Sequence, residues 1–458
     1  MQSSSTIFAI ATPPGRSALA VIRISGPQAH TAPSLFSVKM AGDRRACRAS
    51  LKASDGSVLD DVIIISFSAP ASATGEDIIE IHCHGSQAVI SEILDILSAA
   101  PGFCVAVAGE FTRRGLENGK MDITQAEGLA DLIDAETSLQ RRQAVAQMQG
   151  TLSKPVLAWR QDIIELSALL EALIDFADEE LPPETVAHIT SKRQLLLDNL
   201  RDVLDHGRRG EIIRNGLTAA LVGPVNAGKS TALNLLTGRS VAIVSHHAGT
   251  TRDVLETKID ISGIPLTLLD TAGVRETRDE IEGEGIRRAE ERARDADILM
   301  IIVDGSRAGW SQTVSELVQW AAGDCLIIVN KADMGLIPEN ILEKLPEKLS
   351  GKHLDRHIIY ISLQEQDAGA KIEAQLSEMV PSLNLDGSSA LITRARHRAA
   401  FTAAFGHLSD SVPLNMETES ELVAEEFRAA AVALGRITGH VDVEDVLDHV
   451  FSRFCIGK

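Results

Sequence analysis

No Cys-x-x-Cys pair occurs in the 458 residues, and the five cysteines (Cys47, Cys83, Cys104, Cys325, Cys455) are scattered. That distribution argues against a disulfide scaffold and a structural zinc module, and it fits a reducing compartment. No uninterrupted apolar run approaches the ~20 residues needed to span a bilayer. The opening segment, MQSSSTIFAIATPPGRSALAVIRISG, lacks an early basic cluster and is broken by Pro13 and Pro14, so no secretory signal is expected. Positive charge is in deficit: 44 Lys and Arg face 64 Asp and Glu, for a net charge of −20. Such a balance argues against a broad, sequence-independent footprint on nucleic acid, which needs clustered positive charge. Nucleic acid reached locally or through a partner remains compatible with it. Neither a repeat nor a low-complexity block stands out. The expectation is a cytoplasmic protein without membrane contact.

What is present is enough to bury large cores. Apolar residues make up 44% and charged residues 24%, and the length corresponds to about two to four domains. Residues 1 to 118 read as α+β: short β-branched runs (Ala20 to Ile24, Val62 to Phe67, Ile78 to His82) are separated by Gly, Pro and Asp turn signals. Residues 119 to 215 change character, with Ile163, Leu166, Leu169, Leu170, Leu173 and Ile174 at helical spacing. Residues 216 to 380 change again: apolar strands (LTAALVG, IPLTLLD, ADILMIIVDG, CLIIVNKAD, RHIIYIS) alternate with helical stretches. That alternation predicts a doubly wound, mostly parallel sheet. Residues 381 to 458 return to a helical pattern. The termini of a compact α/β domain lie close together, so it can be inserted into a helical one. The expected fold class is multidomain α+β, with a helical domain in two pieces around an inserted P-loop α/β unit.

The segment GLTAALVGPVNAGKST carries Gly223-x-x-x-x-Gly228-Lys229-Ser230 directly after an apolar strand, with Asn226 and Ala227 inside the loop and Thr231 after it. Strand, glycine loop and helix in that order form a phosphate cradle: main-chain N–H groups curl round phosphate oxygens, and the helix N-terminus adds positive potential. Lys229 would reach the outer phosphates, and the Ser230 hydroxyl would ligate Mg²⁺. Asn330-Lys331-Ala332-Asp333 ends a later apolar strand. An Asp333 carboxylate there can accept from the guanine ring N–H and exocyclic amine, a donor pair adenine lacks, which favours GTP over ATP. Asp270-Thr271-Ala272-Gly273 ends the strand IPLTLLD. Asp270 would hold Mg²⁺ through water, and the Gly273 N–H would sense the γ-phosphate, making a switch. Between them lies Gly249-Thr250-Thr251-Arg252-Asp253, with Thr251 the expected second hydroxyl on Mg²⁺. Ser362 suits a loop supporting the guanine, although Leu363-Gln364 departs from the usual Ala-Lys.

The hydrolytic group is left open by spacing alone. Where Ras-like switches carry a water-orienting Gln after the DTAG glycine, this chain has Val274, which cannot hydrogen-bond water. Glu276, Asp279, Glu280, Glu282 and Glu284 are all within reach along the chain, and Arg252 or Arg275 could act as arginine fingers.

These elements, with ATPPGRSALAVIRISG at the start, GEDIIEIHCHG, the block GEFTRRGLENGKMDITQAEGLADLIDA and the final CIGK, resemble the tRNA modification GTPase MnmE (TrmE) family over the whole chain. The resemblance implies an N-terminal folate-binding and dimerisation domain, a discontinuous helical domain, and an inserted G domain activated by dimerisation and K⁺. It implies K⁺ coordination by Asn226 and by the loop positions Ser245, His247 and Thr250, within Val244-Ser245-His246-His247-Ala248-Gly249. The two histidines are unusual there. It selects Glu282 as the catalytic carboxylate beside Lys229. It carries the folate site onto Arg23, Glu80, Lys120 and Lys458, for a 5-formyl- or methylene-tetrahydrofolate, with Cys455 nearby. It further implies a homodimer and a heterotetramer with the FAD-dependent MnmG (GidA), modifying C5 of the wobble uridine of tRNAs that bind mainly through the complex. A ribosome-assembly GTPase would carry a basic RNA-binding module, which is not seen. A folate-binding structural protein with a vestigial G domain would show damaged phosphate or guanine elements, and only the Ser362 loop is irregular.

Overall fold

The computed structural model describes residues 5–39, 42–175, 183–239, 256–270, 282–335, 357–380, 391–416, 418–441 and 457. The chain divides into two compact units: residues 1–133, 145–201 and 396–458 form one, and residues 134–144 and 202–395 the other.

The first unit begins with β1 (Thr6–Ile10), β2 (Ser17–Ser25), α1 (Ala32–Leu35), β3 (Cys47–Lys52), β4 (Val58–Phe67), β5 (Ile78–Gly85), α2 (Gln87–Ala99) and β6 (Phe103–Val105). The strands form one sheet in the order β3-β4-β5-β2-β1-β6. All its pairings are antiparallel except β1 with β6. Alternation in β5 turns Ile79, Ile81 and Cys83 inward, and Glu80 and His82 lie on the other face. Phe8, Ile22, Ile24, Phe36, Ile64, Ile93 and Leu97 complete that core. Each such buried side chain contributes about 1.5–3 kcal/mol.

Helices follow: α3 (Glu110–Glu117), α4 (Ile123–Ile133), α5 (Ser138–Met148), α6 (Ser153–Asp175) and α7 (Pro183–Asn215). The helical spacing expected along α6 is borne out where its burial is described: Ile163, Leu166 and Leu170 are fully buried.

The second unit holds β7 (Leu217–Val222), α8 (Lys229–Arg239), β8 (Glu256–Ile261), β9 (Ile264–Asp270), α9 (Glu282–Asp295), β10 (Ile298–Asp304), α10 (Trp310–Leu317), β11 (Asp324–Asn330), β12 (Ile358–Tyr360) and α11 (Ala368–Met379). The sheet order is β12-β11-β10-β7-β9-β8. Its pairings are parallel except for the edge strand β8. β10 is buried at all seven positions because both faces are covered. Met300 and Ile302 face a core with Leu221, Leu268 and Ile328, while Leu299, Ile301 and Val303 face another with Val222, Trp310 and Val329.

The last helices are α12 (Ala395–Asp410) and α13 (Ser420–Thr438). α13 packs along α6. The fold class is therefore multidomain α+β, as expected.

Candidate nucleotide and folate sites

The phosphate loop leaves the C-terminal end of β7, a central strand with β10 on one side and β9 on the other. Ligands of open α/β sheets gather at such strand ends. Within the loop, Asn226 takes a left-handed backbone, φ +63°, which an Asn tolerates better than most side chains. Gly228 sits at φ +114°, and a Cβ there would lie 2.5 Å from Asn330 Nδ2 and 2.7 Å from Leu363 Cδ1. Only glycine allows three loops to approach so closely.

Lys229 opens α8, and its Nζ donates to the carbonyls of Gly223 (2.6 Å) and Pro224 (2.9 Å). The ammonium is thereby folded over the mouth of its own loop. Ser230 and Thr231 follow in the first turn and are exposed, whereas Ala227 is buried. Asp270 ends β9 in register with Leu221 of β7, so its main chain stands one strand from the loop. Glu282 is the first residue of α9.

Asn330, at the end of β11, ties two neighbouring loops together. Its Nδ2 donates to Ala227 O (2.7 Å), and its Oδ1 accepts from Leu363 N (3.0 Å). The phosphate loop and the Ser362 loop are thus clamped by one buried amide. The departure at Leu363 does not disturb this, because the contact is made by its main-chain N–H while its side chain joins the core. Ser362 is buried and closes a tight turn, its carbonyl accepting from Glu365 N (3.0 Å). Asp333 is exposed two residues beyond Lys331.

One residue near this site was missed by sequence reasoning. Asp304 ends β10 in register with Asn330, and its Oδ2 accepts from Lys331 Nζ at 2.7 Å. Burial alone would raise its carboxyl pKa; hydrogen bonds from Lys331 and Ser306 outweigh that and hold it below the usual value. The available signal was an Asp-Gly pair ending an otherwise apolar strand.

Ser245, His246, His247, Ala248, Gly249, Thr250, Thr251, Thr271, Ala272, Gly273 and Lys458 lie outside the described residues. So do Cys455 and the acidic alternatives Glu276, Asp279 and Glu280.

In the first unit, Arg23 and Glu80 lie opposite one another on β2 and β5. Arg23 Nε and Nη2 both donate to Glu80 Oε1, at 3.0 and 2.8 Å. His82 Nε2 lies 3.4 Å from Glu80 Oε2, and the guanidinium stands 5.8 Å from the Phe111 ring centroid. His82 and Phe111 were not anticipated from sequence. Lys120 is exposed, and its main-chain N–H donates to Gly115 O (2.8 Å). Gly457 has φ +105°, and a Cβ there would collide with the Ile10 carbonyl. The penultimate residue therefore rests against the end of β1, whose Ala9 pairs with Arg23. Cys83 faces the core, where burial, reinforced by Asp60, pushes its thiol up to about 11.

A family model of the MnmE helical domain matches residues 123–455, and one described as GTP-binding protein TrmE N-terminus matches residues 6–120. The tRNA modification GTPase MnmE of Rhodopseudomonas palustris (strain BisB18) is 43% identical over 457 residues, 99% of each chain. That of Parvibaculum lavamentivorans is 44% identical over 458 residues, 99% of this chain and 100% of its own. The chain belongs to the tRNA modification GTPase MnmE family. Membership accounts for both a TrmE-type N-terminal sheet and a helical segment that resumes after the P-loop unit. Among solved structures, the G domain of the T. maritima FeoB iron transporter is similar over 35% of this chain and 97% of its own. Its identity is 20% and its TM-score 0.26. No helix among the described residues is long and apolar enough to cross a membrane.

Proposed function

We infer that this chain is a GTP hydrolase acting in tRNA modification. The observation that carries the reading is the Asn330 clamp, which joins a phosphate loop to a base-side loop at the carboxyl ends of a parallel sheet. Family membership supplies the tRNA modification role.

Residues 1–118 would bind the folate and dimerise, 119–215 and 381–458 would form the helical support, and 216–380 would be the G domain. Mg²⁺ would be held by the Ser230 and Thr251 hydroxyls, with Asp270 acting through water. An exposed Ser230 at the start of α8 fits that donor set. K⁺ would be held by Asn226, whose left-handed backbone stands at the crown of the loop, together with Ser245, His247 and Thr250. A bound cation supplies positive charge where the β–γ bridge develops negative charge. Lys229 would leave its loop carbonyls for the outer phosphates. Asp333 would read the guanine edge, with Ser362 supporting the base loop. Gly223, Ala227, Gly228 and Thr231 would line the phosphates, and His246, Ala248, Gly249, Thr271, Ala272 and Gly273 the switch loops. Glu282 would orient the attacking water once two G domains meet.

In this reading Arg23, Glu80, Lys120 and Lys458 bind a tetrahydrofolate derivative, with Glu80 meeting pterin N–H donors and the basic groups meeting the glutamate tail. Placement of Gly457 beside β1 supports bringing the terminal lysine near Arg23. The folate would supply the methylene carbon at C5 of the wobble uridine, with MnmG (GidA) and its FAD as partner, and ammonium or glycine would supply the amine of the resulting aminomethyl or carboxymethylaminomethyl group. The compartment would be the cytoplasm.

GTP turnover in KCl against NaCl tests the cation requirement: a faster rate in KCl is expected, and equal rates refute it. Replacing Glu282 with Ala is expected to abolish turnover while sparing nucleotide binding. Mass analysis of tRNA nucleosides from cells lacking the protein tests the modification itself, with loss of the C5 group on wobble uridine expected.

A further inference from the structure

We propose that Asp304 is a positioning residue for nucleotide binding: it fixes the Lys331 ammonium and so makes the lysine's methylene stem a wall of the base-binding site. The proposal rests on the GTPase reading of this unit. Asp304 and Asn330 end neighbouring parallel strands in register. Each uses one side-chain atom to organise a different part of the same site. Asp304 Oδ1 accepts from Ser306 N (3.1 Å) and Ser306 Oγ (2.5 Å), which leaves Oδ2 turned toward Lys331 Nζ at 2.7 Å. Arg307 Nε stands further out, 3.4 Å from the same oxygen, on a side chain 64% exposed. Asp304 is 7% exposed and Lys331 36%, so the lysine is the inner partner.

The backbone explains the direction. Lys331 has φ +61°, in the left-handed region, so the chain turns at the end of β11 and the side chain returns to β10. Its stem is then pinned at both ends, by Asn330 and the turn on one side and by a buried carboxylate on the other. A pinned stem has already given up its rotamer freedom before a purine arrives, so less is lost when one binds. Without the carboxylate, the ammonium is drawn toward the nucleotide phosphates and the apolar face of the stem is no longer held for the base.

The test uses the full-length chain, fluorescent GDP titration and GTP turnover. Asp304→Asn is expected to weaken GDP binding and raise KM for GTP by about tenfold, with kcat within about twofold, as loss of a charge-assisted positioning bond requires. In a Lys331→Met background, which keeps the stem without its charge, Asp304→Asn should cost no more than about twofold. Losses that multiply independently overturn the proposal, because Asp304 would then act on the fold and not through the lysine. Tighter GDP binding by Asp304→Asn also overturns it, since the carboxylate would then be withholding the lysine. Should Asp304→Asn not fold, Asp304→Glu keeps the charge on a longer arm and should bind GDP about three- to fivefold more weakly; unchanged affinity overturns the proposal. A wild-type chain that binds no GDP would instead sink the GTPase reading itself.

Discussion

At the scale of single residues, Gly228 and Asn330 govern whether the nucleotide loops can assemble. Gly228→Ala adds a methyl at φ +114°, 2.5 Å from Asn330 Nδ2. The strain is about 1–3 kcal/mol before any clash is relieved. Loss of measurable GDP binding by calorimetry is expected, with the far-UV spectrum unchanged. Asn330→Ala leaves Ala227 O and Leu363 N without their partner, at about 1–3 kcal/mol for each buried group left unpaired. Nucleotide affinity should fall at least about tenfold, and a wild-type dissociation constant would refute the clamp. The phosphate loop was legible in sequence because its residues are contiguous and their order is itself the geometry. Asp304 was not, because its partner Lys331 lies 27 positions away, just past the end of another strand.

At the scale of elements, α4, α12 and α13 are joined by one buried charge cluster. Glu127 is 1% exposed and accepts from Arg396 Nε (2.7 Å) and Nη2 (2.6 Å), with His397 Nε2 3.0 Å from Oε2. Arg396 Nη1 also donates to the carbonyls of Arg436 and Ile437 at the end of α13, a favourable place for a cation. Glu127→Ala strands these groups without their counter-charge and should cost about 3–5 kcal/mol, read as a large drop in Tm. Burial would raise the Glu127 carboxyl, but hydrogen bonds and charge from His397 and Arg396 outweigh it and hold the group well below its ordinary 4.5. Its contribution is therefore complete above pH 4.5 and lost as pH falls toward the depressed folded value. Glu127→Gln should flatten stability against pH in that acid window; an unchanged slope would refute the assignment. The strands of the P-loop unit were readable because burial on both faces makes them continuous apolar runs. The edge strand β8, ETKIDI, was not read, because Ile259 and Ile261 are its only buried positions among those described, and polar residues alternate with them. β3 and the three-residue β6 were missed for the same reason, having few buried positions to signal them.

At the scale of the whole molecule, the proposed pairing of G domains would make activity a matter of assembly. Specific GTP turnover should rise with protein concentration until dimers saturate. A rate per chain that stays constant on dilution would remove the paired mechanism. The sequence by itself determined the contiguous devices: the glycine loop, the N-K-A-D segment, the alternation of apolar strands with helices in the P-loop unit, and family membership through motifs spread along the chain. Local spacing and burial pattern are properties of neighbouring residues, so they survive without coordinates. Only the tertiary structure decided that Asn330 reaches Ala227, that Asp304 holds Lys331, that Arg23 faces Glu80, and that Glu127 meets Arg396 and His397. Those pairings depend on strand register and helix packing between distant segments, and one residue's slip in a strand would turn the partner to the other face.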